Sequence, residues 1–174
     1  MPTHAIQCSN CGFNAPLEVR TYHYTASGLP NVFLQGVEVA DCPNCGNSDV
    51  IIPRPLKVHR AIASALTKSP RRLTGPQARF LRKHLKASGE QFAQYLHTDK
   101  TKISKWEKGE DTIGPSTDRL IRLLVAALDE ELLPSAPAIA GQLPNISDEA
   151  GDELELHVDV VSLTASFLTR MRAA

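Results

Sequence analysis

Four cysteines lie in two pairs of the same design. Both pairs read Cys-x-Asn-Cys-Gly, the first starting at Cys8 and the second at Cys42. Two residues between the cysteines let both sulfurs point at one ion, and the glycine permits the left-handed backbone that closes the turn. Four thiolates in a tetrahedron favour Zn²⁺ over Mg²⁺ or Ca²⁺. The sequence therefore predicts a zinc site with the ligands Cys8, Cys11, Cys42 and Cys45.

The all-thiolate donor set indicates a structural ion. Four thiolates leave Zn²⁺ no open position for a water, so we do not expect catalysis there. We expect the part of the chain before Pro53 to need the ion to fold. Iron, a redox pair and disulfides are the alternatives, and His4 or His23 could replace one of the cysteines. The chain has no His-Glu-x-x-His and no nucleophile motif, so we do not expect an enzyme.

The composition is typical of a folded chain with one ordinary domain or two small ones, because 42% of the 174 residues are hydrophobic. The first residues lack a basic start followed by an apolar run, and no segment approaches about 18 consecutive apolar residues. We therefore expect a cytoplasmic location. Reducing conditions there favour metal-bound cysteines over disulfides.

The formal net charge of zero conceals three unequal blocks. Residues 1–67 are neutral, with four basic and four acidic side chains. Residues 68–109 carry eleven basic against three acidic side chains, a net charge of +8, and residues 110–174 carry four against twelve, a net charge of −8. A basic block of this kind is expected where a domain meets phosphates. A solvated helical face is the alternative.

The first third of the chain alternates turn signals with β-favouring runs. Residues 17–24 and 32–39 are such runs, separated by Ser27-Gly28. We predict a hairpin-based zinc-binding unit over residues 1–54. Apolar residues then recur at helical spacing between flanking prolines, which predicts a linking helix within residues 55–70.

Two capping boxes mark helix starts. Thr74 is followed three residues later by Gln77, and Ser88 by Gln91. In such a box the hydroxyl accepts from the N3 amide while the N3 side chain reaches back to the cap, so helices should begin near residues 75 and 89. The residues expected to be buried by these two helices are Phe80, Leu81, Leu85, Phe92, Ala93 and Leu96.

Two more helices are predicted further along. Thr98 is the expected N-cap of the third helix, and Gly109 should end it. A fourth helix is expected from Pro115 to about residue 128. Its apolar stripe consists of Leu120, Ile121, Leu124 and Leu128.

Residues 89–109 fit a helix-turn-helix. Ala93 is small where the two helices cross, and the short connection at 97–98 makes the turn. Ile103 and Trp106 fill the angle between the helices, and Glu107 is expected to support the fold. The side chains left on the outer face of the second helix, for the major groove, are Lys100, Thr101 and Lys105.

The pattern Gln-Phe-Ala-x-x-Leu followed by Ile-Ser-Lys-Trp-Glu-Lys-Gly resembles the phage-repressor-like (XRE) helix-turn-helix family. With the cysteine pairs, the linking helix and Gly-Pro-Ser-Thr-Asp-Arg-Leu after the motif, the chain resembles the MqsA-type antitoxin family with its YgiT-type zinc finger. The resemblance covers about residues 6–128. It implies a homodimer formed largely through the DNA-binding half, repression of the chain's own operon and, in true antitoxins, neutralisation of an RNase toxin.

By position, the resemblance assigns base contacts to Lys100, Thr101 and Lys105. Thr101 can hydrogen-bond a base or touch a thymine methyl, and Lys105 can donate to guanine O6 and N7. His97 stands where the family usually has glycine, and histidine tolerates positive φ better than most residues. The residues expected to meet phosphates are Ser88, Gln91, Lys102, Ser116 and Thr117.

The tail contains three predicted segments. Residues 134–145 are typical of a linker, residues 154–160 alternate like a half-buried strand, and residues 163–171 are predicted to be helical. The fold class predicted is α+β, with a small N-terminal zinc-bound β domain, an all-α five-helix phage-repressor-like helix-turn-helix domain and a short β/α C-terminal tail. The predicted units are 1–54, 55–70, 71–133 and 134–174.

Three functions follow from these patterns. The leading hypothesis is a sequence-specific transcriptional repressor that binds double-stranded operator DNA as a homodimer, as the antitoxin of a type II toxin–antitoxin system. The first alternative is a stand-alone zinc-containing regulator with no toxin. The second is a protein-binding module whose zinc head, or edge-like strand at 154–160, inhibits a partner.

Overall fold

The computed structural model describes residues 5–150 and 154–169, in which nine strands and six α-helices are found. The strands are β1 (Ala5–Gln7), β2 (Asn14–Pro16), β3 (Glu18–His23), β4 (Val32–Asp41), β5 (Ser48–Ile51), β6 (Arg71–Arg72), β7 (Ser147–Ala150), β8 (Leu154–Asp159) and β9 (Ala165–Thr169). The helices are α1 (Pro55–Thr67), α2 (Gly75–His84), α3 (Gly89–Tyr95), α4 (Lys100–Lys108), α5 (Pro115–Leu128) and α6 (Ala136–Gln142).

A five-stranded mixed sheet is built around the long strand β4. The order is β3-β4-β8-β9, and β5 pairs with the C-terminal half of β4. Strand β8 runs parallel to the N-terminal half of β4, from Val32↔Leu156 to Gln35↔Asp159, and β9 is antiparallel to β8. A strand from the end of the chain therefore lies inside the sheet that the N-terminal residues begin.

One hydrophobic core joins this sheet to the helices. Val32 and Leu34 of β4 and Val158 of β8 are buried together with Val58 and Ile62 of α1. The same cluster continues into the helix-turn-helix through Phe80, Leu81, Phe92, Ile103, Trp106 and Ile121. Helix α1 covers the apolar sheet face because a sheet with one apolar face must bury it against another layer.

The predicted fold class is wrong in its division into an all-α helical domain and a separate zinc-bound β head. Strand β6 lies directly before α2 and pairs in parallel with β7 of the tail, so the helical part contributes to a sheet. The apolar face of the tail strand, with Leu156, Val158 and Val160, joins the main core. The prediction failed because the sheet forms by pairing between strands far apart in the chain, and residue periodicity does not specify such pairing.

The tail also differs from its predicted segments. Residues 134–145, predicted as a linker, form two 3₁₀ turns around α6, with Ile139 buried. Of the apolar stretch 163–171 predicted to be helical, Ala165–Thr169 forms strand β9 and residues 163–164 precede it without helical structure, while residues 170–171 lie outside the described residues. The strand predicted at 154–160 is confirmed as β8.

The helix starts predicted from the capping boxes are confirmed. Thr74 Oγ1 accepts from the Gln77 amide at 3.4 Å, and Ser88 Oγ accepts from the Gln91 amide at 3.1 Å, each with the reciprocal bond. The third cap was assigned one residue too early. Asp99, not Thr98, caps α4, because its carboxylate accepts from the Lys102 amide at 2.8 Å.

A buried ion pair within α5 bonds to the segment that follows α1. Asp118 and Arg122 are both fully buried, and Arg122 Nε donates to Asp118 Oδ2 at 3.0 Å. The same guanidinium donates to the carbonyls of Ser69 and Arg71, each at 2.6 Å. This arrangement fixes the strand that leads into the helix-turn-helix.

Candidate metal centre and nucleic-acid interface

The four cysteines converge as predicted. Their sulfurs all lie within 4.8 Å of one another, and no disulfide joins them. Cys8 Sγ lies 3.6 Å from Cys45 Sγ, and Cys11 Sγ lies 3.5 Å from Cys42 Sγ. Four sulfurs at about 2.3 Å from one tetrahedral ion would be separated by about 3.8 Å. The cluster is therefore positioned to bind one metal ion.

Both knuckles have the turn geometry that the glycines allow. Gly12 and Gly46 adopt φ values of 74° and 72°, and each donates its amide to the carbonyl of the first cysteine of its pair at 2.9 Å. The first cysteine of each pair is buried and the second is exposed. The two turns therefore have the same backbone conformation and the same closing hydrogen bond.

Asparagine side chains donate to the sulfurs, a feature that the sequence analysis missed. Asn44 Nδ2 lies 3.6 Å from Cys11 Sγ, and Asn47 Nδ2 lies 3.7 Å from Cys8 Sγ. Such donors orient ligands and stabilise negative charge on sulfur. The repeated Asn within both Cys-x-Asn-Cys-Gly motifs was the available signal for the first of them.

A carboxylate clamps the first knuckle to β5. Asp49 accepts from the Ser9 amide at 3.0 Å and from the Ser9 hydroxyl at 2.5 Å. These bonds hold the pKa of Asp49 below its ordinary value. Because Asp49 lies on β5, the two halves of the cluster are connected through the sheet as well as through the sulfurs.

The thiols differ in acidity. The hydrogen bond from Asn44 lowers the pKa of Cys11 to about 6, whereas burial raises the pKa of Cys42 to about 11. A soft divalent ion binds cysteine as thiolate and therefore releases the remaining protons. An all-sulfur tetrahedron with amide donors is the donor chemistry that such an ion requires.

Of the two histidine alternatives, His23 is described and lies away from the sulfurs. His23 Nε2 bonds the Pro30 carbonyl at 2.7 Å, and its ring stacks on Phe33. Its side chain is not in the sulfur cluster. His4 lies outside the described residues.

Helices α3 and α4 form the predicted pair of helices joined by a short turn. Phe92, Ala93, Ile103 and Trp106 are buried between and beneath them. His97 in the turn adopts a φ of 49°, so the histidine takes the left-handed conformation expected from its place in the motif. The Thr98 amide donates to the Ala93 carbonyl at 2.9 Å and closes the turn.

The residues predicted to read bases lie on one helix and are accessible. Lys100, Thr101 and Lys105 are exposed on α4. Lys102 is exposed too, with its ammonium 5.7 Å from the centre of the Trp106 ring. The Asp99 carboxylate accepts the Lys102 amide at the start of the helix, which lowers the pKa of Asp99.

The residues predicted to meet phosphates lie at two helix starts. Ser88 and Gln91 are exposed but bond to each other's backbone in the capping box, which leaves the Gln91 amino group free to donate. Ser116 and Thr117 lie in the first turn of α5, whose N-cap Gly114 has no side chain to occupy the terminal amides. First-turn amides without a cap are good donors to an anion.

Two contacts that the sequence analysis did not identify fix α4 against α2. Glu107 forms a bidentate pair with Arg82, at 2.6 and 2.9 Å, which extends the prediction that Glu107 supports the fold. At Gly75, a Cβ atom would lie 1.7 Å from the carbonyl oxygen of Trp106. Only glycine fits where the start of α2 meets the end of α4.

Comparisons with known proteins give no relative. No protein-family model, no curated protein and no solved structure matches this chain. The family resemblance inferred from the motifs therefore stays a prediction.

No helix within residues 5–150 and 154–169 is long and apolar enough to cross a membrane.

Proposed function

We propose that this protein binds double-stranded DNA in a sequence-specific manner, as a transcriptional repressor, with α4 as the reading helix. The observation that carries the proposal is the division of α4 into two faces. Ile103 and Trp106 are buried, while Lys100, Thr101 and Lys105 are exposed on the same nine-residue helix. A rigidly seated helix with basic and hydroxyl side chains outward suits the major groove.

The flanking helix starts support the same orientation. Phosphates on either side of the groove would meet the cap of α3 at Ser88 and Gln91 and the uncapped first turn of α5 at Ser116 and Thr117. Lys102 adds a positive charge beside the reading residues. These contacts position the helix, and the contacts of Thr101 and Lys105 to base edges supply specificity.

The ion in the cysteine cluster is Zn²⁺ in this proposal, with a structural role. Zn²⁺ has no redox chemistry and accepts four thiolates in a closed tetrahedron. Cys8 and Cys11 lie between β1 and β2, and Cys42 and Cys45 follow the end of β4. An ion bound to all four would therefore join β1 and β2 to the end of β4. The reading helix lies in another part of the fold, so zinc would act on DNA binding through stability.

A repressor that reads a palindrome needs two copies of the chain, and we include a homodimer in the proposal. Its half-sites would lie about one helical turn apart, or a multiple of that distance. The RNase toxin that the family resemblance implies stays a prediction, since no described contact distinguishes a toxin-binding surface.

Replacing Lys105 with Ala tests the reading helix. Duplexes enriched from a random library by the wild-type protein serve as the probe, and affinity is measured at several salt concentrations. A base contact from Lys105 is worth about 1–3 kcal/mol, so K105A should lose roughly tenfold in affinity and relax the base preference at one position of each half-site.

Lys83→Ala is the matched control, since Lys83 is also exposed and lies in the same basic segment, but on α2. It should retain affinity and base preference. Enrichment of no duplex by the wild-type protein, or equal behaviour of the two variants, would refute the assignment of α4.

A further inference from the structure

Strand β9 is an outer strand of the five-stranded sheet in the part of the chain that the structure describes. It pairs on one side only, antiparallel to β8, from Leu154↔Thr169 to Val158↔Ala165. On the other side, its main-chain groups have no strand partner among the described residues. A row of free amides and carbonyls of this kind is a template for another strand.

The other outer strands of this sheet have features that oppose pairing. Strand β3 carries Glu18 and Arg20 and has a bulge between Arg20 and Tyr22. Strand β5 has only four residues, one of them the acidic Asp49. Charges, bulges and short length are the usual means by which edges avoid association.

Strand β9 has none of these protective features. Its sequence, Ala-Ser-Phe-Leu-Thr, contains no charge, proline or glycine, and its pairing with β8 has no bulge. Phe167 is half-buried and packs on the core, while Leu168 is 48% exposed. This edge is therefore uncharged, regular and apolar at one exposed position.

We propose that β9 pairs antiparallel with β9 of a second copy of this chain, which joins two five-stranded sheets into one. A two-fold axis near Phe167 would place Ser166 of one copy opposite Leu168 of the other and would cover both leucines. The pairing is isologous, so both copies use the same strand and each pair of facing residues occurs twice.

The lack of charge on β9 favours a second copy over an unlike partner. A charged side chain near the two-fold axis would lie close to its own equivalent and repel it, whereas an unlike partner can be matched by opposite charge. The purpose of this dimer rests on the proposed function, because a palindromic operator requires two copies of the chain. Its geometry rests on the sheet alone. It differs from the resemblance, which implies dimerisation through the DNA-binding half.

The test is sedimentation equilibrium of the full zinc-loaded chain over about 1–100 µM, the range in which small interfaces associate. The wild-type protein should form dimers. Leu168→Lys should raise the dissociation constant at least about tenfold, because it places two ammonium groups at the pairing edge. Val161→Lys is the control, since Val161 is 71% exposed but lies in the turn before β9.

A second variant reports the register. Ser166→Cys together with Leu168→Cys should give a covalent dimer under mild oxidation, while the wild-type protein under the same conditions should not. A monomeric wild-type protein, or a dimer that Leu168→Lys leaves as tight as the wild type, would overturn the proposal. So would a stoichiometric unlike protein that co-purifies and is released by Leu168→Lys.

The outcome is separable from that of the DNA-binding proposal. Leu168→Lys should keep the base preference of the wild-type protein on a single half-site, because α4 is unchanged. Lys105→Ala should keep the dimer and lose DNA affinity. Failure of β9 pairing therefore leaves the assignment of the reading helix standing, and the converse also holds.

Discussion

Replacing Cys42 with Ser is expected to abolish stoichiometric zinc binding and to unfold the strands next to the cysteine cluster. Cys42 is buried at the centre of the cluster, and its sulfur lies 3.5 Å from that of Cys11. A structural Zn²⁺ contributes about 10–16 kcal/mol of apparent binding free energy in small domains, all of it coupled to folding. Loss of one thiolate removes the closed tetrahedron on which that energy depends.

The unfolding should be local, because little else holds these strands together. The buried cluster around the sulfurs contains only Cys8, Ala15, Ala40 and Cys42 among the described residues, with Ile6 and Leu17 packed against it. Two alanines bury too little apolar surface to hold β1 and β2 in place. The main core does not include these residues, so the helix-turn-helix should stay folded.

Native mass spectrometry and amide hydrogen exchange measure the two effects separately. The wild-type protein should carry one Zn²⁺, and Cys42→Ser none. Exchange should rise over residues 5–16 and 42–50 and stay unchanged over α2 to α5. Chelation of the wild-type protein should reproduce this pattern.

Asn10→Ala is the control within the first knuckle, since Asn10 is exposed and lies between the first two cysteines. Asn44→Ala should have an intermediate effect, about 10–100-fold weaker zinc binding, because it removes the amide donor to Cys11. Full zinc loading of Cys42→Ser, or unchanged exchange after chelation, would show that the cluster does not hold a structural ion.

The sequence was sufficient to predict those features that depend on residues close together in the chain. The cysteine spacing, the two capping boxes, the glycine that ends α4 and the alternation of β8 each depend on neighbours within a few residues. Such features follow from chain geometry and hydrogen bonding alone. The helix pair and the exposed face of α4 could therefore be predicted from the sequence.

The tertiary features could not be predicted in the same way. Strand β8 alternates correctly, but nothing local says that it pairs in parallel with β4, a strand more than 100 residues earlier. Gly75 looks like an ordinary helix-start residue until Trp106 is placed against it. These features arise from packing between distant segments, which a single sequence does not display.

The N-cap of α4 shows that a helix start could be predicted only to within one residue. Thr98 and Asp99 are both good N-cap residues, and adjacent candidates differ by little free energy. The structure selects Asp99 because Thr98 is held in the turn by its amide bond to Ala93. The shift places an acidic side chain at the start of α4, the helix proposed to read DNA.

The ion pair between Asp118 and Arg122 leads to the second large prediction. Replacing Arg122 with Met should cost about 3–5 kcal/mol of unfolding free energy, because it leaves the Asp118 carboxylate buried without its countercharge. The carbonyls of Ser69 and Arg71 would lose their partners at the same time. Asp118 would keep only the Leu73 amide, at 2.7 Å.

Guanidinium denaturation of Arg122→Met, Arg119→Met and the double variant Asp118→Leu/Arg122→Met would measure this. Arg119 is the control, since it lies on the same helix but is only partly buried, and its described bonds go to the Pro115 and Leu143 carbonyls. Its loss should cost about 1 kcal/mol or less, the usual value for a site with partial solvent access. The double variant removes the isolated charge and should recover part of the lost unfolding free energy. If Arg122→Met alone does not fold, the double variant should still fold.

The recovery of unfolding free energy should be incomplete, because Arg122 connects several elements of the fold. Its guanidinium joins the end of α1, strand β6 and α5. The Ser69 carbonyl that it bonds is in a buried residue and would lose that partner in the double variant too. A midpoint for Arg122→Met within experimental error of that for Arg119→Met would contradict the argument. The same pair also fixes the first turn of α5, where Ser116 and Thr117 are expected to meet a phosphate. Variants at this buried site should therefore weaken DNA binding without altering which bases are preferred, whereas Lys105→Ala should change the preference itself.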